Sequence, residues 1–337
     1  MQITRRTVLK AAASAVGIAA VGAPSVRAQT AVFNYKVATN VPVTHPIYIR
    51  LSEAAEKTKA ETGGKVDIKV FPNGQLGSDT DLLSQVRSGS VEFLTLPGVI
   101  LANLVPMASL NSVGFAFHDY PAVWKAMDGD LGKYIRSHIE KTNLHVFDKV
   151  WDNGFRHITS NKPINTPAEL ANMKIRVPVS PLLLSLFKSL KAAPTPINFN
   201  ELYSALQTRI VDGQENPFPI ITTAKLYEVQ KYCAMTSHAW DGYWLLANKH
   251  SFAALPVALQ DIITRNFNAA GVNQRADSEK MAADLQQELA AKGLIFSKPA
   301  TAQFRQVLQQ SGFYKEWKNK FGEEAWAQLE AAVGKLV

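Results

Sequence analysis

Arg176 ends a short apolar strand, Met173-Lys174-Ile175-Arg176-Val177, and Pro178 follows at once, ahead of a new helical pattern. About forty residues on, Asp212-Gly213-Gln214-Glu215-Asn216-Pro217 marks another strand end, this one studded with acid and amide groups. An open α/β sheet presents its ligand crevice at the carboxyl ends of its strands. A guanidinium fixed there offers a planar fork of donors that matches a carboxylate in both charge and shape. No nucleophile–base pair accompanies it, so the chemistry read from these residues is the holding of a small carboxylate, not its conversion.

Other signatures fail on spacing. Gly63-Gly64-Lys65 lacks the remaining glycine of a phosphate loop and does not open a helix. Asp79-Thr80-Asp81 has the look of calcium ligands but lacks the downstream glycine and glutamate. It reads instead as the cap of the helix it starts. No histidine pair has zinc spacing, and no Gly-x-Ser-x-Gly elbow occurs. His238 therefore reads as a structural histidine. Cys233 is the only cysteine, so no internal disulfide can form, and it reads as a small buried residue. The expectation is a protein with no metal, no cofactor and no enzymatic activity.

The elements that must position Arg176 follow from periodicity. Phe33 to Thr39 alternates as a strand does, and a helix from about His45 to Thr62 follows, closed by Gly63-Gly64. Lys65 to Phe71 is a second strand, Asp79 to Ser88 a helix stopped by Gly89, and Val91 to Leu96 a third strand. This βαβαβ run is the seed of a mainly parallel sheet. The pattern restarts with a strand from Leu144 to Val150, leading into Trp151-Asp152-Asn153-Gly154-Phe155-Arg156. Met173–Val177, a helix from Pro181 to about Lys191, Pro194–Ile197, a helix from Asn200 to Thr208 and a strand into Asp212 complete a second α/β lobe.

Pro256 to Lys292 reads helical nearly throughout, weakened at Gly271. At 1.5 Å per residue it would reach roughly 55 Å, longer than one small lobe is wide, so it should lie across both as a strut. Two helices broken near Gly271 are the alternative. Ala302 to Leu336 reads as two amphipathic helices that bury Phe304, Leu308, Phe313, Trp317, Phe321, Trp326 and Leu329. The expected division assigns residues 29–150 and about 240–275 to the first lobe, and 151–239 and about 276–337 to the second.

Thr4-Arg5-Arg6-Thr7 precedes an apolar run from Ala11 to about Val21, then Val26-Arg27-Ala28. A basic head, a short apolar body and a small-residue site predict a signal peptide over 1–28, cleaved near Ala28 and delivering the protein to the periplasm. The paired arginines favour the twin-arginine route. The apolar run falls short of the roughly 20 residues a spanning helix needs. Loss of Arg5, Arg6, Lys10 and Arg27 takes the formal charge from +8 to +4, with no basic block. That bias helps attract small anions and excludes a nucleic-acid partner, which would need a clustered stripe.

Four motifs occur in order: Phe71-Pro72-Asn73-Gly74-Gln75-Leu76-Gly77, Met173-Lys174-Ile175-Arg176-Val177-Pro178, Glu201-Leu202-Tyr203-Ser204-Ala205-Leu206-Gln207, and Asp212 to Pro217. Together they resemble the solute-binding subunit of tripartite ATP-independent periplasmic (TRAP) transporters, the DctP-like family, over essentially all of the mature chain. The resemblance implies two lobes joined by a long helix, a carboxylate held by Arg176, and delivery to membrane permease subunits without use of ATP. It further implies a second arginine, Arg156, near the same carboxylate, a hydrogen bond from Asn216, and Phe199 packed on the ligand. Some members hold a keto acid through a metal, with an aromatic residue where Asn216 stands, so direct arginine contact is expected here.

Position adds further candidates. Trp151 and Asn153 sit where the fourth major strand should end, and Gln75 follows the second strand on the opposing lobe. Asn40 and His45 flank the end of the first strand, and Leu96-Pro97-Gly98 ends the third. Trp240, Tyr243 and Trp244 lie where the chain crosses back between lobes, and a tryptophan face suits a ring. The expected ligand is a small organic acid: a sugar acid, an aromatic acid or a dicarboxylate. The expected mechanism is a two-lobe clamp that closes over it. A carboxylate sensor feeding a membrane receptor would use the same clamp, and an exported enzyme is the third reading.

Overall fold

The alternating segments Phe33–Ala38 (β1) and Val66–Phe71 (β2) pair in parallel, with the helix Pro46–Glu61 crossing between them. His45 caps that helix, its Nδ1 accepting from the Ile47 N–H, and Pro46 stands at its first position. Phe93–Pro97 (β3) pairs parallel to β1 after the helix Asp79–Ser88, which ends on Gly89 at φ 81°. Only a residue without a Cβ takes that left-handed cap freely. A computed structural model describes residues 33–336. The expected signal peptide and twin-arginine pair lie outside these residues.

The remaining strands are Leu144–Val146 (β4), Trp151–Phe155 (β5), His157–Ser160 (β6), Lys174–Val177 (β7), Ala193–Pro196 (β8), Gly213–Asn216 (β9), Tyr232–Ala234 (β10), Trp240–Asn248 (β11) and Ile295–Ser297 (β12). They make two mixed six-stranded sheets, one ordered β2-β1-β3-β11-β4 with β5 also paired to β11, the other β12-β10-β6-β9-β7-β8. The parallel pairs sit where helices make the crossovers, as in β1–β2 and β7–β8. β11 and β6 run antiparallel to their neighbours because the chain reaches them directly from the other sheet. Each sheet buries apolar residues on both faces: on β3, Leu94 and Leu96 enter one apolar cluster and Phe93 the other. Layers of helix therefore cover both sides.

The sheets are joined by a two-chain passage. β5 leads through Arg156 into β6, and β10 leads through Ala239 into β11. The Arg156 N–H donates to the Ala239 carbonyl (2.8 Å), and the His238 N–H donates to the Arg156 carbonyl (3.2 Å). The expected boundary at 150/151 falls before β5, which belongs to the first sheet; the crossing point is Arg156.

The helix Val257–Ala291 is continuous through Gly271 and packs on Pro46–Glu61, β5 and Phe218–Thr223, so it touches elements of both sheets. A Cβ at Gly271 would lie 3.0 Å from Trp151 Nε1, so the glycine serves close packing and does not break the helix. The C-terminal region forms three helices, not two: Thr301–Gln310, Phe313–Phe321 and Glu323–Val333. Gly312 and Gly322, both at positive φ, make the corners. All seven apolar residues expected there are buried.

Candidate functional site

Ile175 and Val177 on β7 enter an apolar cluster, so strand alternation turns Arg176 to the opposite face. Pro178 ends the strand, and Ser180 caps the helix Pro181–Ser189. Arg176 is buried, and its Nε donates to the Ile197 carbonyl at 2.9 Å. Its two terminal nitrogens have no hydrogen-bond partner among the described residues, and no carboxylate there forms an ion pair with it. Burial lowers its pKa to about 10; Glu215 opposes that shift and Arg156 adds to it. The guanidinium stays protonated at neutral pH.

Arg176 faces a small cavity of ≈ 20 Å³ between the two sheets. Asn40, Asp79, Pro97, Asn153 and Tyr243 line it from the first sheet's side, and Arg176, Pro178, Phe199, Asn216 and Ile220 from the second; Arg156 sits at the passage. Polar groups converging in a small apolar-walled cleft are what a small-molecule site requires. Larger concavities exist, one beside Phe117 and Lys298, but that lysine is exposed.

Arg156 lines the same cavity, with its guanidinium committed to the protein. Nε and Nη2 reach the Glu215 carboxylate at 2.5 and 2.8 Å, and Nη1 reaches Asp241 Oδ2 at 2.5 Å. Nη2 also donates to Asn216 Oδ1 at 3.1 Å. One Nη1 hydrogen remains for a ligand. Glu215 lies on β9 and Asp241 on β11, so Arg156 ties the two sheets together at the crossing. His238 completes the cluster, Nε2 against Glu215 Oε2 (3.0 Å) and Nδ1 against the Thr236 hydroxyl (2.8 Å). Burial tends to raise the Glu215 carboxyl, but Arg156 and His238 outweigh it and the net shift is downward.

Asn216 is held at both ends, accepting from Arg156 and donating through Nδ2 to Gln214 Oε1 (2.6 Å), which leaves one amide hydrogen. Phe199 begins the helix Phe199–Gln207 and is half-buried at the cavity wall. Asn153 donates to Asp241 Oδ2 (3.1 Å), and its Oδ1 is buried without a partner. It lies mid-strand in β5, beyond the strand end expected near Val150, whereas Asn216 is the last residue of β9, at a strand end as expected. Buried polar groups fill both strands, which is why the expected strands stop at Val150 and Asp212, short of these residues.

Three expected residues stand elsewhere. Gln75 is exposed on the turn after β2, where Asn73 and Gly74 at positive φ swing the chain outward. Trp151 is core, packed against Gly271. Trp240 is also core: its indole donates to Asp152 Oδ1 at 2.9 Å, and its ring stands edge-on to Trp124 at 5.5 Å. None of the three lines the cavity: the turn carries Gln75 away from it, and the two indoles fill the packing beside the passage between the sheets.

Asp79 is the residue sequence reasoning missed. Ser78 caps the helix, with Asp81 closing a capping box, so Asp79 is not needed there and is buried in the cavity wall. Its Oδ1 accepts from Asn40 Nδ2 at 2.7 Å; Asn40 Oδ1 in turn accepts from the Tyr243 hydroxyl at 3.0 Å. The pattern Ser78-x-x-Asp81 was the available signal, since it supplies the cap and leaves Asp79 over. Among the described residues, no group of three or more His, Cys, Asp or Glu could hold a metal ion, and no helix is long and apolar enough to cross a membrane.

Comparison with known proteins agrees with this architecture. The family model "Bacterial extracellular solute-binding protein, family 7" (DctP) matches residues 37–320. The 2,3-diketo-L-gulonate-binding periplasmic protein of Escherichia coli (strain K12) is 32% identical over 274 residues, 81% of each chain. A TRAP periplasmic solute-binding protein from Sulfurospirillum deleyianum, solved with bound succinate, superposes with a TM-score of 0.85 at 27% identity, covering 90% of this chain and 100% of that one. Another, from Roseobacter denitrificans with bound β-D-glucuronate, gives 0.84 at 26% identity, covering 89% and 99%.

Proposed function

The chain belongs to the bacterial extracellular solute-binding protein family 7, the DctP family of TRAP solute-binding proteins, and from that premise we propose that it captures a small organic carboxylate through Arg176. Its family binds solutes and is not a family of enzymes. One observation carries the reading: a buried guanidinium whose terminal nitrogens have no partner borders a cavity between the sheets. A buried charge without a partner is costly, and a carboxylate is the group that fits its fork. Asn216 offers its remaining amide hydrogen, and Phe199 packs against the ligand body. Asn153 borders the same space, while Arg156 positions Asn216 and adds its spare Nη1 hydrogen.

The relatives bind several different acids, so the ligand class rests on this geometry and the family together. A thermal-shift screen of organic acids against neutral polyols and sugars tests it. A ligand at a hundred times its dissociation constant adds about 2.7 kcal/mol of stability, which a melting curve resolves. Acids should raise the midpoint; a large shift confined to uncharged solutes would overturn the carboxylate reading.

The wider assignment follows the same premise. Residues 1–28 direct export to the periplasm by the twin-arginine route, the two sheets are the lobes of a clamp, and the closed form delivers its ligand to membrane permease subunits. Uptake of labelled acid by vesicles carrying the permease, dependent on added protein, checks the last step.

A further inference from the structure

Two buried cations face more buried acids than they can balance. Arg156 and Arg176 are at most 2% exposed, and so are Asp79, Glu215 and Asp241. Glu215 and Asp241 both contact Arg156, which commits that charge twice over. Asp79 contacts no cation among the described residues. Its Oδ1 accepts from Asn40 Nδ2 at 2.7 Å, and the Phe199 N–H stands beside the carboxyl. The charge it faces is Arg176, across a cavity of ≈ 20 Å³ that both border, room for about one water molecule. Nothing else packed against Asp79 can replace that charge. On β11, Tyr243 spends its hydroxyl on Asn40 and Asp241 is bound to Arg156. Phe93–Pro97 and Gly98–Leu101 carry no ionisable side chain, and Asp81, Arg87 and Glu201 on the flanking helices are exposed. We propose that a carboxylate captured by Arg176 binds together with a proton, which Asp79 takes up from solvent.

This rests on the Arg176 reading. A carboxylate seated in the guanidinium fork neutralises the cation that Asp79 faces and sets a second anion across the same small space. An anion buried without a counter-charge raises its pKa and neutralises. The only bond formed is the O–H: the proton comes from water or buffer, Asp79 becomes a carboxylic acid, and the ligand stays ionised. Burial already raises the Asp79 carboxyl above its ordinary value, with Arg176, Asn40 and the Phe199 N–H opposing, so loss of the Arg176 effect raises it further. His238 and Asp152 do not line the cavity: the first is held on Glu215, which Arg156 balances, and the second on Trp240. Asp79 thus holds its proton more tightly in the bound protein than in the free one. Between those two titrations affinity falls by up to about tenfold for each unit rise in pH, and below and above them it is flat.

Calorimetry on the full mature chain between about pH 5.5 and 8.5 tests this, with whichever of succinate, D-glucuronate, lactate and pyruvate raises the melting midpoint most. Each titration is run in two buffers of different ionisation enthalpy, so the difference in heat counts the protons taken up. Where the dependence is steepest, wild type should take up about 0.5–1 proton per acid and lose about three- to tenfold in affinity per pH unit. Asp79→Asn keeps a carbonyl oxygen for Asn40 but cannot take the proton. Its affinity should change by less than about twofold per pH unit, a flattening that a merely structural residue would not produce. The wild-type series decides the linkage even where the variant fails to fold. Equal heats in both buffers and a flat profile for wild type would overturn the inference while leaving Arg176 in place. Uptake that persists in Asp79→Asn would overturn the assignment to Asp79. Binding of none of the four acids at any pH would overturn the Arg176 reading as well.

Discussion

A guanidinium buried without a carboxylate of its own is unusual, because desolvation of the charge is offset only when a partner arrives. Arg176 and Arg156 divide the work on that basis. Arg156 is matched by Glu215 and Asp241 within the fold, whereas Arg176 holds only the Ile197 carbonyl. Arg176→Ala should therefore cost about 2–5 kcal/mol of binding, because the ligand carboxylate loses its partner in a closed cleft. That is roughly thirty- to several-thousandfold in dissociation constant. Arg176→Lys should also weaken binding, since a point charge cannot reproduce the fork. Calorimetry with the best acid from the screen checks both, and a loss below threefold in the alanine variant would remove Arg176 as the anchor.

At the scale of elements, the clearest strands were those with simple alternation. β1 and β2 are legible because one side chain in two is apolar, β3 as a short apolar run, and the helix ends because His45 and Gly89 sit at caps. β5 and β9 were hidden, since Asp152, Asn153, Gln214, Glu215 and Asn216 are buried by hydrogen bonds and not by apolarity. Arg176 could be found from Pro178 and the strand before it. Asp79 could not, as long as it was taken for a cap. Asp152 on β5 shows what such a strand carries. Its backbone N–H and carbonyl both bond Gln274 of the long helix, its Oδ1 accepts from Trp240, and the Tyr120 hydroxyl stands beside the buried carboxyl. Burial lifts its pKa to about 7, against the lowering effect of the Trp240 bond. The folded protein therefore holds a proton that the unfolded chain releases near pH 4. The stability owed to this group is present at about pH 4 and is lost as pH rises through about 7. Asp152→Asn keeps the Trp240 bond and removes the titration. Relative to wild type it should gain stability from pH 4 to 8, by up to about 4 kcal/mol for a shift of about three units. Denaturant melts at several pH values test this, and parallel curves for the two proteins would refute it.

Across the whole molecule, the parts that face each other over the cavity also touch outside it. Asn103, after β3, donates through Nδ2 to the Val179 carbonyl after β7 at 2.6 Å, as well as to the Ile100 carbonyl at 2.8 Å. Asn198 Nδ2 donates to the Thr80 hydroxyl at 3.3 Å. These bonds join the two sheets' loops at the cleft mouth, while Arg156 and the helix Val257–Ala291 join them at the back. These two bonds are polar, so breaking them alone exposes no apolar surface. On the clamp proposed above, closure over a ligand would draw on two sources: contacts made to the ligand, and bonds such as Asn103–Val179 that would form as the sheets approach. Asn103 does not line the cavity, so its removal should act on closure alone. A lost hydrogen bond of about 1 kcal/mol lowers the ratio of closed to open molecules by roughly fivefold. Asn103→Ala should accordingly weaken every acid by about the same factor and leave the order of preference unchanged. It should also enlarge the radius of gyration measured by X-ray scattering without ligand. Unchanged affinities, or a factor that varies from acid to acid, would mean that the mouth contacts do not govern closure.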